Sequence, residues 1–129
     1  MTAQKFYRRV LIEAGRPSLE DVKRVTAGMF HTLRDRLTLN EANQAAAQLP
    51  RPLKLLWWEG EVEGRRPAKT HQKEFYAGVR AEAGLASERE ARLVTRAVFA
   101  ALKEQLSLGE CDDVRAQLPK DLKSVWEDA

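Results

Sequence analysis

Apolar residues recur along this chain at three- and four-residue spacing, and no stretch alternates as a half-buried strand would. The first stripe is Phe6, Tyr7, Val10 and Ala14, with Gly15 behind it as a stop, and it predicts a helix over roughly Thr2–Ala14. A longer stripe of Val22, Val25, Thr26, Met29, Phe30, Leu33 and Leu37 predicts a second helix over Leu19–Leu37. Ser18 is its expected N-cap, and Glu20 and Asp21 suit the positive end of its dipole. Thr38 and Glu41 have the spacing of a capping box, in which the hydroxyl takes the third helical amide and the carboxylate reaches back to the cap. A third helix therefore opens there and runs to Gln48. Pro50 disfavours helix at Leu49 but is tolerated in a first turn. A short fourth helix follows, with Leu53, Leu56 and Trp57 on its apolar side.

The chain then writes the same pattern again. Ala47-Gln48-Leu49-Pro50 returns as Ala116-Gln117-Leu118-Pro119, 69 positions later, and that offset pairs residues 5–60 with 74–129 without a gap, 21 of the 56 pairs being identical. The second pattern has Phe75, Tyr76, Val79 and Ala83 before Gly84, then Ser87 with Glu90, and Ser107 with Glu110 as a second capping box. A segment of this size is near the lower limit for folding alone. The expectation is an all-α protein of two pseudo-equivalent four-helix units packed as one helical bundle domain. Copy one spans 1–60, a linker rich in Gly, Pro and charge spans 61–70, and copy two spans 71–129, the copies sharing one core.

With the repeat laid out, the chain resembles a bacterial family known only as domain of unknown function 2267. The resemblance is carried by Phe6, Val10, Ala14 and Gly15 as F-x-x-x-V-x-x-x-A-G, by Ala97-Val98-Phe99-Ala100-Ala101-Leu102, by Gly109-Glu110, and by A-Q-L-P in both copies. It covers nearly the whole chain and implies a small, helical, often doubled protein. It implies no activity. Copy one departs from the pattern at Pro52 and at the Trp57-Trp58 pair.

Composition narrows the picture. Net charge is +3, divided as +4 over residues 1–60, +2 over 61–73 and −3 over 74–129, a bias too mild to be a nucleic-acid signature alone. Cys111 is the only cysteine, so no intramolecular disulfide forms, and a cytoplasmic location is the default expectation. The N-terminal stretch carries Lys5, Arg8 and Arg9 without the apolar core of a secretory signal. No apolar run approaches a membrane span, so no membrane partner is expected.

Candidate chemistry is sparse. His31 and His71 have no nucleophile or orienting carboxylate at helical spacing and read as surface or helix-flank residues. Cys111 reads as a small, partly buried residue and not a redox thiol, because Glu110, Asp112 and Asp113 oppose a thiolate. Those three acids read as a solvated helix start, one of them already used by the capping box. No catalytic or metal constellation and no cofactor motif is visible, so a non-enzymatic protein with no cofactor is expected.

Two contact surfaces stand out. Trp58 is repeat-equivalent to Glu127 and, with Pro52 and Trp57, forms the candidate protein contact, for a partner or for self-association. Trp57 itself pairs with Trp126 and also reads as core. Arg8, Arg9, Arg65, Arg66 and Lys69 form the alternative, a patch for nucleic acid or another polyanion, provided helix 1 and the linker are neighbours. A small-ligand pocket between the copies is a further alternative.

Overall fold

A computed structural model describes residues 2–129, and these residues form helices and no strand. The helices are α1 (Ala3–Ala14), α2 (Leu19–Arg34), α3 (Leu39–Ala47), α4 (Arg51–Trp58), α5 (Gln72–Ala83), α6 (Glu88–Gln105), α7 (Leu108–Ala116) and α8 (Lys120–Asp128). Each of α5–α8 starts 69 residues after its counterpart among α1–α4. The protein is all-α, as the apolar periodicity predicts.

The local signals act where they were read. Thr2, Ser18, Ser87, Thr38 and Ser107 each accept the amide three residues on, at 3.1–3.2 Å. Gly15 and Gly84 end α1 and α5 in the left-handed region, at φ 63° and 65°. Pro50 and Pro119 stand at the N-caps of α4 and α8.

Two expectations need correction. The second helix ends at Arg34, not Leu37, because the next residues tighten into i→i−3 bonds: Arg36 N–H to Leu33 and Leu37 N–H to Arg34. The inter-copy segment holds that turn. Arg65 donates to the Leu37 and Arg34 carbonyls at 3.0 and 2.9 Å, and the Ala68 amide donates to the Asp35 carbonyl at 2.7 Å. In α6 no such segment follows, and the helix continues to Gln105. The capping boxes of α3 and α7 are also only half formed. Their hydroxyls cap, but neither Glu41 nor Glu110 returns a bond to the cap amide.

Packing crosses between the repeated segments. The most extensive contacts are α2 on α5 and α1 on α6, which the 69-residue offset interchanges. The buried apolar side chains of both segments form one cluster. Inside it Phe6, Phe30 and Trp57 pack in sequence, edge to face, at centroid distances of 5.6 and 5.3 Å, and Phe75, Phe99 and Trp126 form the equivalent row at 6.3 and 4.9 Å. Where α2 meets α5 the backbones approach so closely that a Cβ on Gly28 would lie 2.6 Å from the Ala83 nitrogen.

Candidate functional site

The aromatic ladder settles the status of Trp57. It is 1% exposed and packed edge-to-face against Phe30, so it offers no surface to a partner, a correction to its inclusion in the predicted protein contact. Trp58 is half-buried against the edge of the core, and Pro52 is exposed in the first turn of α4.

Pro52 borders a groove of about 500 Å³ between α1, α2 and α4, floored by Tyr7 and lined by Leu11, Leu19, Arg8 and Lys23. Lys23 stands 5.8 Å from the Tyr7 ring centroid, a cation–π distance. The second segment has a corresponding groove on Tyr76, but Arg80 and Glu88 hold the positions of Leu11 and Leu19 there. Asp121, Ser124 and Glu127 likewise hold the positions of Pro52, Leu55 and Trp58. Leu19 is 54% and Leu55 60% exposed, so the first segment presents apolar surface where the second presents charge.

The predicted cationic patch is divided. Arg65 is turned inward, bonded to Glu61 at 2.6 Å as well as to two carbonyls, and caps α2 in place of meeting solvent. Arg9 pairs with Glu13 and Glu104 at 3.4 and 3.1 Å. Arg8, Arg66 and Lys69 are exposed and make no ion pair among the described residues. The concavities at the α1–α6 and α2–α5 junctions are small, about 280 and 180 Å³, and both are lined by charged side chains.

The His31 ring makes a structural bond, and His71 is exposed at the start of α5. His31 Nε2 donates to the Leu56 carbonyl at 2.8 Å, and the His71 amide donates to the Glu74 carboxylate at 3.2 Å. Cys111 is buried, its thiol facing the Lys103 and Leu106 carbonyls, and burial pushes it above the usual thiol range.

Glu41 and Glu110 are the residues that sequence reasoning placed wrongly. The helices α3 and α7 lie antiparallel, so the C-cap glutamine of each reaches the N-cap of the other. Gln117 Oε1 accepts the Thr38 amide at 3.0 Å, and Gln48 Oε1 accepts the Ser107 amide at 2.6 Å. The cap amides are thereby occupied, and the box carboxylates are released. Both turn into the α3–α7 contact, where each glutamate is only 6% exposed. Glu110 is therefore not part of a solvated helix start. Oxygens of Glu41, Glu110 and the exposed Asp113 lie within 4.8 Å of one another. Glu41 Oε1 and Glu110 Oε2 meet no donor other than a proton shared between the two carboxyls, and no lysine or arginine pairs with any of the three among the described residues. Burial, reinforced by the Glu41 carboxyl and the charge of Asp113, pushes the Glu110 carboxyl up to about 8.

No helix among the described residues is long and apolar enough to cross a membrane. Residues 3–125 match the family described as "Uncharacterized conserved protein (DUF2267)". No curated protein matches the chain.

Proposed function

We propose, for a chain that belongs to the DUF2267 family of uncharacterised conserved proteins, a non-enzymatic role as an interaction module. Its ligand is an amphipathic helical segment of a protein partner, received in the groove between α1, α2 and α4. The observation that carries this reading is the internal comparison at equivalent positions: Leu11, Leu19, Pro52, Leu55 and Trp58 in the first segment against Arg80, Glu88, Asp121, Ser124 and Glu127 in the second. Leu11 and Trp58 pack partly against the core, but Leu19, Pro52 and Leu55 are exposed where the second segment carries polar residues, so their apolar character serves something other than folding. Grooves of this kind take the apolar stripe of a helix. Arg8 and Lys23 on the rim favour acidic flanks on that helix. The single unpaired cysteine fits a cytoplasmic setting.

The test uses labelled amphipathic peptides with glutamate flanks, the same peptides with lysine flanks, and sedimentation of the protein alone. Saturable binding that weakens about tenfold with lysine flanks, and disappears in Leu19→Glu/Pro52→Asp, supports the reading. Self-association lost in the same variant would make the occupant a second copy. A monomer that binds neither peptide set sinks it.

Polyanion binding is the second reading, supported by the exposed Arg8, Arg66 and Lys69. It requires affinity for single-stranded or duplex DNA that falls steeply with salt. Affinity unchanged between low and high salt removes it.

A further inference from the structure

We propose that Glu41, Glu110 and Asp113 bind a divalent cation of the hard, oxygen-preferring class, bridging α3 to α7. Three features point to a missing positive charge. The first is convergence: carboxylate oxygens of the three residues lie within 4.8 Å of one another, the span that ligands across one cation occupy at metal–oxygen distances of about 2.0–2.6 Å. The second is the pair of orphaned atoms. Glu41 Oε1 and Glu110 Oε2 sit on side chains more than nine-tenths buried and meet no donor; the only bond open to the pair is between the two carboxyls, and it needs a proton. A buried carboxylate without a partner is costly, and proteins relieve that cost with a cation or a proton. The third is the absence of any competing cationic side chain: none of the ten ion pairs among the described residues involves Glu41, Glu110 or Asp113.

The donor set selects the metal class. All three donors are carboxylates, which suit Mg²⁺, Ca²⁺ or Mn²⁺. Softer ions would want nitrogen or sulfur, and the one nearby thiol, Cys111, faces the Lys103 and Leu106 carbonyls instead. The exposed Asp113 marks the open side, where water completes the coordination. The glutamines are part of the arrangement. Because Gln48 and Gln117 cap the helices in trans, both glutamates keep their oxygens for a ligand.

The experiment is Mn²⁺ binding to the full chain, followed by electron paramagnetic resonance of the free ion at pH 8.5, with Ca²⁺ and Mg²⁺ as competitors. One saturable site per chain is expected, at least tenfold weaker in Glu41→Gln and Glu110→Gln and unchanged in the control Glu82→Gln. Asp113→Asn changes an exposed residue and keeps the fold, so its weaker binding is a check independent of the buried pair. Mn²⁺ should also raise the melting temperature of the wild type and not that of the two glutamate variants. No saturable binding below about 1 mM free Mn²⁺, the weak end for protein oxygen sites, overturns the proposal. So does equal affinity in the wild type and all three carboxylate variants.

Discussion

Ser107 donates its backbone N–H to Gln48 Oε1 at 2.6 Å, and in the repeat-equivalent bond Thr38, 69 positions before Ser107, donates to Oε1 of Gln117, 69 positions after Gln48, at 3.0 Å. The repeated Ala-Gln-Leu-Pro element thus does two jobs. Its proline starts the next helix, and its glutamine caps a helix of the other segment. Gln48 also donates from Nε2 to Ser107 Oγ at 3.3 Å.

Removing either glutamine should leave a helix N-terminus short of one partner. Gln48→Ala and Gln117→Ala are each expected to cost about 1 kcal/mol in urea denaturation. The two bonds lie at opposite ends of the α3–α7 pair, so the double variant should lose close to the sum of the two. A double variant no less stable than either single one would contradict this.

Arg34 and Lys103, also 69 apart, close the last helix of each segment in the same way. Arg34 donates to the Trp57 and Glu59 carbonyls at 2.8 and 2.7 Å, and Lys103 to the Trp126 and Ala129 carbonyls at 2.8 and 2.9 Å. A cation there satisfies carbonyls that the helix end leaves unpaired. Arg34→Met should therefore cost about 3 kcal/mol, because buried carbonyls and the Glu61 carboxylate lose their donor. Arg34→Lys should cost less, about 1 kcal/mol, since Lys103 already fills the equivalent role. Equal losses for the two variants would refute the capping role.

Gly28 and Gly109 should respond in opposite directions to alanine. Both are helical, and alanine is favoured over glycine in a helix by up to about 1 kcal/mol. At Gly109 nothing lies within 4 Å of the added Cβ, so a gain of about 0.5 kcal/mol is expected. At Gly28 the Cβ meets the Ala83 backbone at 2.6 Å, and α2 must move away from α5. That overpacking should outweigh the propensity gain and leave a net loss of about 1–3 kcal/mol. Thermal melts of the two variants check both signs.

The Glu110 carboxyl, pushed up to about 8 from 4.5 by burial beside Glu41 and Asp113, ties stability to pH. Between those two values the folded chain holds a proton that the unfolded chain has released. Stability therefore falls as pH rises through that window, with a slope of up to about 1.4 kcal/mol per pH unit, and levels off above it. Urea denaturation in EDTA from pH 5 to 9 should follow this fall, and Glu110→Gln should flatten it. A flat wild-type profile would show that the pair ionises without cost.

The sequence by itself determined the helices, because apolar spacing, N-cap hydroxyls and stop glycines are local properties. Phe6, Val10 and Gly15 specify α1 without reference to anything distant, and Ser18 does the same for the start of α2. The aromatic positions Trp57 and Trp126 were legible as core, since repeat-equivalent apolar residues on one helix face have a common fate. The sequence did not reveal where polar side chains find their partners. Glu41 and Glu110 fit a capping box by spacing, and only the antiparallel approach of α3 and α7 hands that task to Gln117 and Gln48. Arg65 looked like a free surface cation, and only the fold of residues 59–71 back onto α2 turns it into a cap for the Arg34 and Leu37 carbonyls. Helix formation is decided by contacts a few residues apart. The bonding of a long polar side chain is decided by whichever unsatisfied group the packed helices bring within about 3 Å, and that depends on the tertiary arrangement.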